Sequence, residues 1–315
     1  PWTVSDVPIL DECEELLGPM PSSSSSSREA DEGAIERARE AIEAQNLGGG
    51  IVTAQMLAEQ VAGQDTWTPL SERAAKDRTW AYGHIVVDEA QELSPMAWRA
   101  LLRRCPSRSF TVVGDLDQRR GSKRPPTWEK ALGPAARALA AEYALTVSYR
   151  TPATLTTLAE GVVARAGVPV LYPMTAVRDV EDCYRVTHVD APEDAPASSK
   201  DNSPLWRAVA QAQREAEERL DREAGTSRGR IALIVGNERA RAWGADVDGE
   251  TALSERVSLL SAVASKGLEF DSVILVEPAE ILSDGVGDLF VALTRATHDV
   301  HVVHCTPLPA GMEEW

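Results

Sequence analysis

The sequence predicts an α/β fold: a parallel sheet with helices on both faces. Short, nearly continuous apolar runs recur at 84–88 (HIVVD), 110–115 (FTVVGD), 145–148, 231–235 (IALIV), 273–276 and 300–304, as expected of strands buried on both sides. Helical stretches lie between these runs, so strand and helix alternate over the last two thirds of the chain. The length of 315 residues, with 43% of them hydrophobic, suffices for one large domain or two ordinary ones.

Taken in order, residues 1–20 read as a helix with apolar positions Val7, Leu10, Leu16 and Leu17. Ser22 to Ser27 form a run that needs no fold and reads as a linker or mobile loop. Further helices are expected at 29–46, closed by Gly48-Gly49-Gly50, and at 53–63. Between the first two strands Ser94 is placed as an N-cap with Pro95 at the first helical position, and the helix continues to Arg104. Another begins near Pro152. Residues 190–204 read as a loop, and 205–224 as a charged surface helix with a Leu/Trp/Val face.

The charge balance, 32 Lys+Arg against 49 Asp+Glu, gives a net −17. Residues 1–79 hold 15 acids and 6 bases, residues 80–150 hold 7 and 11, and residues 151–315 hold 27 and 15, so only the middle is basic. An acidic chain is repelled by phosphate backbones, so nucleic acid would need local basic patches or a protein partner that holds it. No apolar run approaches the ~18 residues of a membrane span. The N-terminus shows no signal core, and Cys13, Cys105, Cys183 and Cys305 lack CxxC spacing, so a reducing compartment, the cytoplasm, is expected. The missing initiator Met hints at a fragment.

The densest chemical signal is Asp88-Glu89-Ala90-Gln91, directly after a buried strand. Carboxylates at the C-terminal edge of such a strand lie where α/β sheets bind ligands; one can hold Mg²⁺ while the other orients and deprotonates water. An acidic pair there can also simply complement a helix dipole. Four further segments follow: Gly114-Asp115-Leu116-Asp117-Gln118, Tyr149-Arg150, residues 265–271 (SKGLEFD), and residues 291–296 (VALTRA). Gln118 is placed to hydrogen-bond a γ-phosphate or its water.

This ordered set resembles the superfamily 1 helicases and translocases of the UvrD/Rep type. HIVVDEAQ (84–91) matches their Walker B motif, VVGDLDQ (112–118) motif III, VSYRTP (147–152) motif IV, VASKGLEFDSV (263–273) motif V and LFVALTRAT (289–297) motif VI. The resemblance implies RecA-like P-loop NTPase lobes that use ATP and Mg²⁺. It places Mg²⁺ on Asp88, the catalytic base at Glu89, the γ-phosphate sensor at Gln118 and arginine fingers at Arg150 and Arg295. Tyr149 would stack on the adenine, Glu269 would hold the ribose, and Gly267 lies in the same nucleotide-binding segment.

Two departures qualify the match. No GxxxxGK[ST] loop occurs in the 315 residues, which implies the C-terminal part of a longer protein, cut after its Walker A region, and negligible hydrolysis by this polypeptide alone. Gln118 is followed by Arg119-Arg120-Gly121-Ser122-Lys123-Arg124 rather than by a base-stacking aromatic. Arg119, Arg120, Lys123 and Arg124 remain able to hold DNA phosphates, or to form a solvated loop. The phrases at 7–13, 88–118 and 261–278 are similar to the actinobacterial HelD/HelR branch, ATPases that bind RNA polymerase and free it of nucleic acid or inhibitors. The expectation is therefore such a motor, with a UvrD-type DNA translocase and a nonhydrolytic scaffold as alternatives. Its parts would be an acidic helical insertion (1–79), a partial first lobe (80–145) and a second lobe (146–315). His298, His301 and His304 read as ordinary strand histidines, and Trp98 and Trp128 as packing residues.

Overall fold

The computed structural model describes residues 2–18, 69–77, 80–120, 124–190, 203–245 and 255–313. The serine run, the helices expected at 29–46 and 53–63, Lys123 and most of the 190–204 loop lie outside the described residues. The chain divides into two compact units, 1–86 with 94–111, and 87–93 with 112–315.

In the first unit, α1 (Val7–Leu17) lies against α3 (Pro95–Arg104), and α2 (Leu70–Lys76) is a short helix between them in sequence. Ser94 caps α3 as expected, its Oγ accepting from Ala97 N at 3.1 Å. Trp98 is fully buried and meets Phe110 edge-on, with ring centroids 6.4 Å apart. The face that α1 buries differs from expectation. Val7, Leu10, Leu16 and Leu17 are exposed, and Glu12 is the buried residue of the helix. The reason is electrostatic: Glu12 pairs with Arg99 at 2.7 Å, and Arg103 pairs with both Asp11 and Glu12, so the acidic side of α1 is the one drawn in.

Strands β1 (Ile85–Val87) and β2 (Phe110–Val112) pair in a two-stranded sheet. They were expected to be buried on both faces, yet Val86 of β1 and Thr111 of β2 are exposed. Among the described residues no further strand continues this sheet, and one side of each strand stays open.

The second unit is built on five parallel strands in the order β5-β9-β8-β6-β7: β5 (Tyr184–His188), β6 (Ile231–Val235), β7 (Val257–Ser261), β8 (Phe270–Val276) and β9 (Ala296–His304). Successive residues point to opposite faces, and both faces are covered. Ala232, Ile234, Val273, Leu275, Val300 and Val302 pack against α5 (Ala153–Arg165) and α9 (Val286–Thr294). Ile231, Leu233, Val235, Ile274, Val276 and Val303 pack against α6 (Pro204–Glu223) and α7 (Asn237–Trp243). Two covered faces explain why these strands read as unbroken apolar runs. Helix α6 buries Leu205, Val209, Ala212, Ala216 and Leu220, but it is not wholly a solvated surface helix: Arg219 turns inward and pairs with the buried Asp299 of β9. The strand expected at 145–148 shortens to β3 (Val147–Ser148), which pairs with β4 (Thr175–Ala176). The remaining helices are α4 (Trp128–Leu132) and α8 (Pro278–Asp284). His301 Nε2 lies 2.8 Å from Thr187 Oγ1, and His304 Nδ1 lies 2.8 Å from the Thr306 carbonyl, so both serve the strand packing. Among the described residues no helix is long and apolar enough to cross a membrane.

Candidate functional site

Every predicted site residue falls in the second unit. The chain leaves β1 through Asp88 and enters a left-handed conformation at Glu89 (φ 49°, ψ 38°), which costs a non-glycine residue roughly 1–2 kcal/mol. That turn re-aims the Glu89 carboxylate. Its Oε2 accepts from Gln91 Nε2 at 2.5 Å, while the Gln91 Oε1 accepts from Asp115 N at 3.1 Å. Gln91 is fully buried and so ties the 88–92 turn to the loop after β2. Gly114 makes this passage possible, because a Cβ there would stand 2.4 Å from Gln91 Oε1 and 2.8 Å from Trp128 Cη2.

Asp115 organises the next turn. One carboxylate oxygen accepts from Asp117 N and the other from Gln118 Nε2, each at 2.9 Å. Burial pushes the Asp115 carboxyl up, against the Gln118 hydrogen bond and the nearby Arg295 charge. Gln118 is engaged at its other end too, its Oε1 accepting from Arg295 Nη2 at 3.3 Å.

Arg295 sits at the C-terminus of α9, only 4% exposed, and donates through Nε to the Val291 carbonyl at 3.2 Å. Burial first, and then repulsion from Arg150, pull it down to about 10, opposed by Glu89, Glu269 and Asp115. At neutral pH it therefore remains charged. Arg150 and Glu269 form an ion pair across 119 residues of sequence. Beside Arg150 in the chain, Tyr149 is 74% exposed, leaving its ring open to solvent. Gly267 has φ +72°, with no atom within 4 Å of where a Cβ would project.

Thus Glu89, Gln118, Arg150, Glu269 and Arg295 share one electrostatic neighbourhood, with Asp88 adjoining Glu89 and accepting from Glu89 N at 2.8 Å. Three residues that the sequence reading left without a role complete it: Gln91, Asp115 and Lys266. The Lys266 ammonium, nearly buried, reaches both Glu92 Oε1 and the Gln118 carbonyl at 2.5 Å. Arg124, read as able either to hold a phosphate or to sit in a solvated loop, is instead engaged within the protein. It pairs with the buried Asp117 and donates to the Pro169 carbonyl at 2.9 Å, because an unpaired buried carboxylate would be costly. Arg120 remains exposed.

Among the described residues no three His, Cys, Asp or Glu side chains cluster as a self-sufficient metal site. Mg²⁺ needs no such cluster, since it keeps waters and takes one or two carboxylates together with substrate phosphates. The exposed Asp88 carboxylate suits that role, and the open Tyr149 ring and open Gly267 backbone suit a nucleotide.

No protein-family model matches the chain, and no curated protein matches it. Solved structures do. The nonstructural protein 10 helicase of an arterivirus matches with TM-score 0.40 and 16% identity, over 75% of this chain and 42% of that one. Its complex with DNA matches with TM-score 0.38 and 17% identity, over 71% and 40%. The C-terminal domain of a possible DNA helicase from Lactobacillus plantarum WCFS1 matches with TM-score 0.33 and 18% identity, over 52% and 92%. The chain spans about two fifths of the arterivirus helicase's length.

Proposed function

We propose that these residues form one side of an ATP-hydrolysing site in a superfamily 1 helicase-like motor of the HelD/HelR type, which acts on RNA polymerase. The observation that carries this is the buried, charged Arg295 held against Gln118 within reach of Glu89, Glu269 and Arg150. Phosphoryl transfer spreads negative charge over the transferred group, and a fixed guanidinium there is worth ~10³–10⁵ in rate. Glu89, aimed by Gln91, takes the proton from the attacking water. Gln118, aligned by Asp115, orients that water, and Arg150 and Arg295 offset the developing charge. Tyr149 and Glu269 hold base and ribose, so the Arg150–Glu269 pair opens as nucleotide enters. Asp88 would hold Mg²⁺, which supplies counter-charge to the phosphates.

The preference for polymerase over DNA rests on the sequence phrases shared with that branch, on the net charge of −17, and on the internal pairing of Arg124. Co-purification of the full-length protein with core RNA polymerase, with ATP turnover indifferent to single-stranded DNA, is the expected result. Turnover stimulated strongly by DNA and lost at high salt would instead identify a translocase of the UvrD type. Full activity of the 315-residue polypeptide alone, which has no GxxxxGK[ST] loop, would overturn the assignment of the site.

A further inference from the structure

We infer that Arg178, which lies outside all five motif segments, is a positioning residue that holds Arg150 in register with Arg295. This rests on the reading above, in which both arginines offset charge on the transferred phosphoryl group. Arg178 follows β4, and its Nη2 donates to the Arg150 carbonyl at 2.8 Å and to the Thr297 carbonyl. Thr297 is the second residue of β9, two positions past Arg295. One guanidinium therefore joins the main chains of both arginine segments, through the charge-assisted bonds that are the stronger kind. β9 lies between β5 and β8 in the five-stranded sheet, so the Thr297 end is a fixed post.

The site needs such a tie. Arg150 and Arg295 carry like charge in one neighbourhood and repel. Arg295 is buried and anchored to the Val291 carbonyl, whereas Arg150 is exposed and its side chain is held by Glu269. When that pair opens for nucleotide, the Arg150 guanidinium is aimed from its main chain. Residues 177–179 run beside that main chain as a strap. Val177 N donates to the Ser148 carbonyl at 2.9 Å, and Ala153 N donates to the Arg178 carbonyl at 2.9 Å. Asp179 accepts from Thr154 N at 3.1 Å and from Thr154 Oγ1 at 3.0 Å, which fixes the strap to the start of α5. Thr151 Oγ1 adds a longer bond, 3.4 Å, to the Thr294 carbonyl. The Arg178 side chain connects the strap to β9, and because it is exposed it can be exchanged without opening the core.

The test compares steady-state ATP turnover by the full-length protein carrying Arg178→Met, which keeps an unbranched chain without the donors, and Arg178→Lys, which keeps a cationic donor. Arg178→Met is expected to lower kcat about tenfold to a hundredfold, because a misplacement of order 1 Å can cost about 10² in rate, while KM for ATP and the melting temperature stay near wild type. Arg178→Lys is expected to restore most of the lost kcat. Added to Arg150→Ala, Arg178→Met is expected to cost little more, since a residue that acts through Arg150 then has nothing left to position. Wild-type kcat in Arg178→Met overturns the inference, and so does a loss that multiplies in full with that of Arg150→Ala. A kcat loss accompanied by weaker nucleotide binding or a lowered melting temperature marks general support of the fold and overturns it too. If Arg150→Ala itself leaves turnover intact, the reading of Arg150 falls and the inference with it. If Arg150→Ala cuts turnover and Arg178→Met does not, the inference alone falls.

Discussion

Gly287→Ala is expected to be among the most damaging small substitutions in the molecule. A Cβ at this position would stand 2.2 Å from the Arg119 carbonyl oxygen and 3.1 Å from that of Asp117, and both are main-chain atoms without rotamer freedom. Either α9 or the loop carrying Gln118 must then shift. Overpacking of this kind costs about 1–3 kcal/mol, sometimes more. Because α9 ends in Arg295 and the loop carries Gln118, the same shift lengthens the 3.3 Å contact between them. A lowered melting temperature together with reduced ATP turnover is expected. Gly267→Ala provides the contrast: its methyl meets nothing, and only the positive φ carries a penalty, on the order of 1 kcal/mol. Equal melting temperatures for wild type and Gly287→Ala would show that the close approach of helix and loop is not maintained in solution.

Glu89→Gln is expected to lower ATP turnover by about 10²–10⁴, the usual worth of a general base, while nucleotide still binds. The isosteric amide can turn its oxygen toward Gln91 Nε2, so the turn at 88–92 and its link to Asp115 survive. What disappears is the basic oxygen, along with one of the carboxylates whose charge supports protonation of Arg295. Single-turnover hydrolysis beside equilibrium binding of nucleotide separates the two effects. Turnover left intact would mean that Glu89 is not the base.

The strands were legible where both faces are covered. β6, β8 and β9 read as apolar runs because α5 and α9 lie on one side and α6 and α7 on the other. The edge strand β5, Tyr-Arg-Val-Thr-His, mixes polar and apolar residues and gave no such signal. The periodicity of α1 was legible but its buried side was not, because that side is chosen by Arg103, which lies 91 residues from Glu12. In the candidate site, residues at strand ends and in recognisable phrases could be named from the sequence. The parts played by Gln91, Asp115 and Lys266 could not, since they arise from folding: Lys266 meets Glu92 across 174 residues. Arg124 shows the converse, a cation in a basic run that the buried Asp117 claims.

In the proposed site five separated segments close on one nucleotide. Hydrogen exchange of the full-length protein with and without Mg·ATP tests it most directly. Binding is predicted to slow exchange at 88–92, 115–119, 149–151, 265–269 and 293–296 together, leaving α6 unchanged. Saturable nucleotide binding that leaves those five segments unprotected would contradict the account.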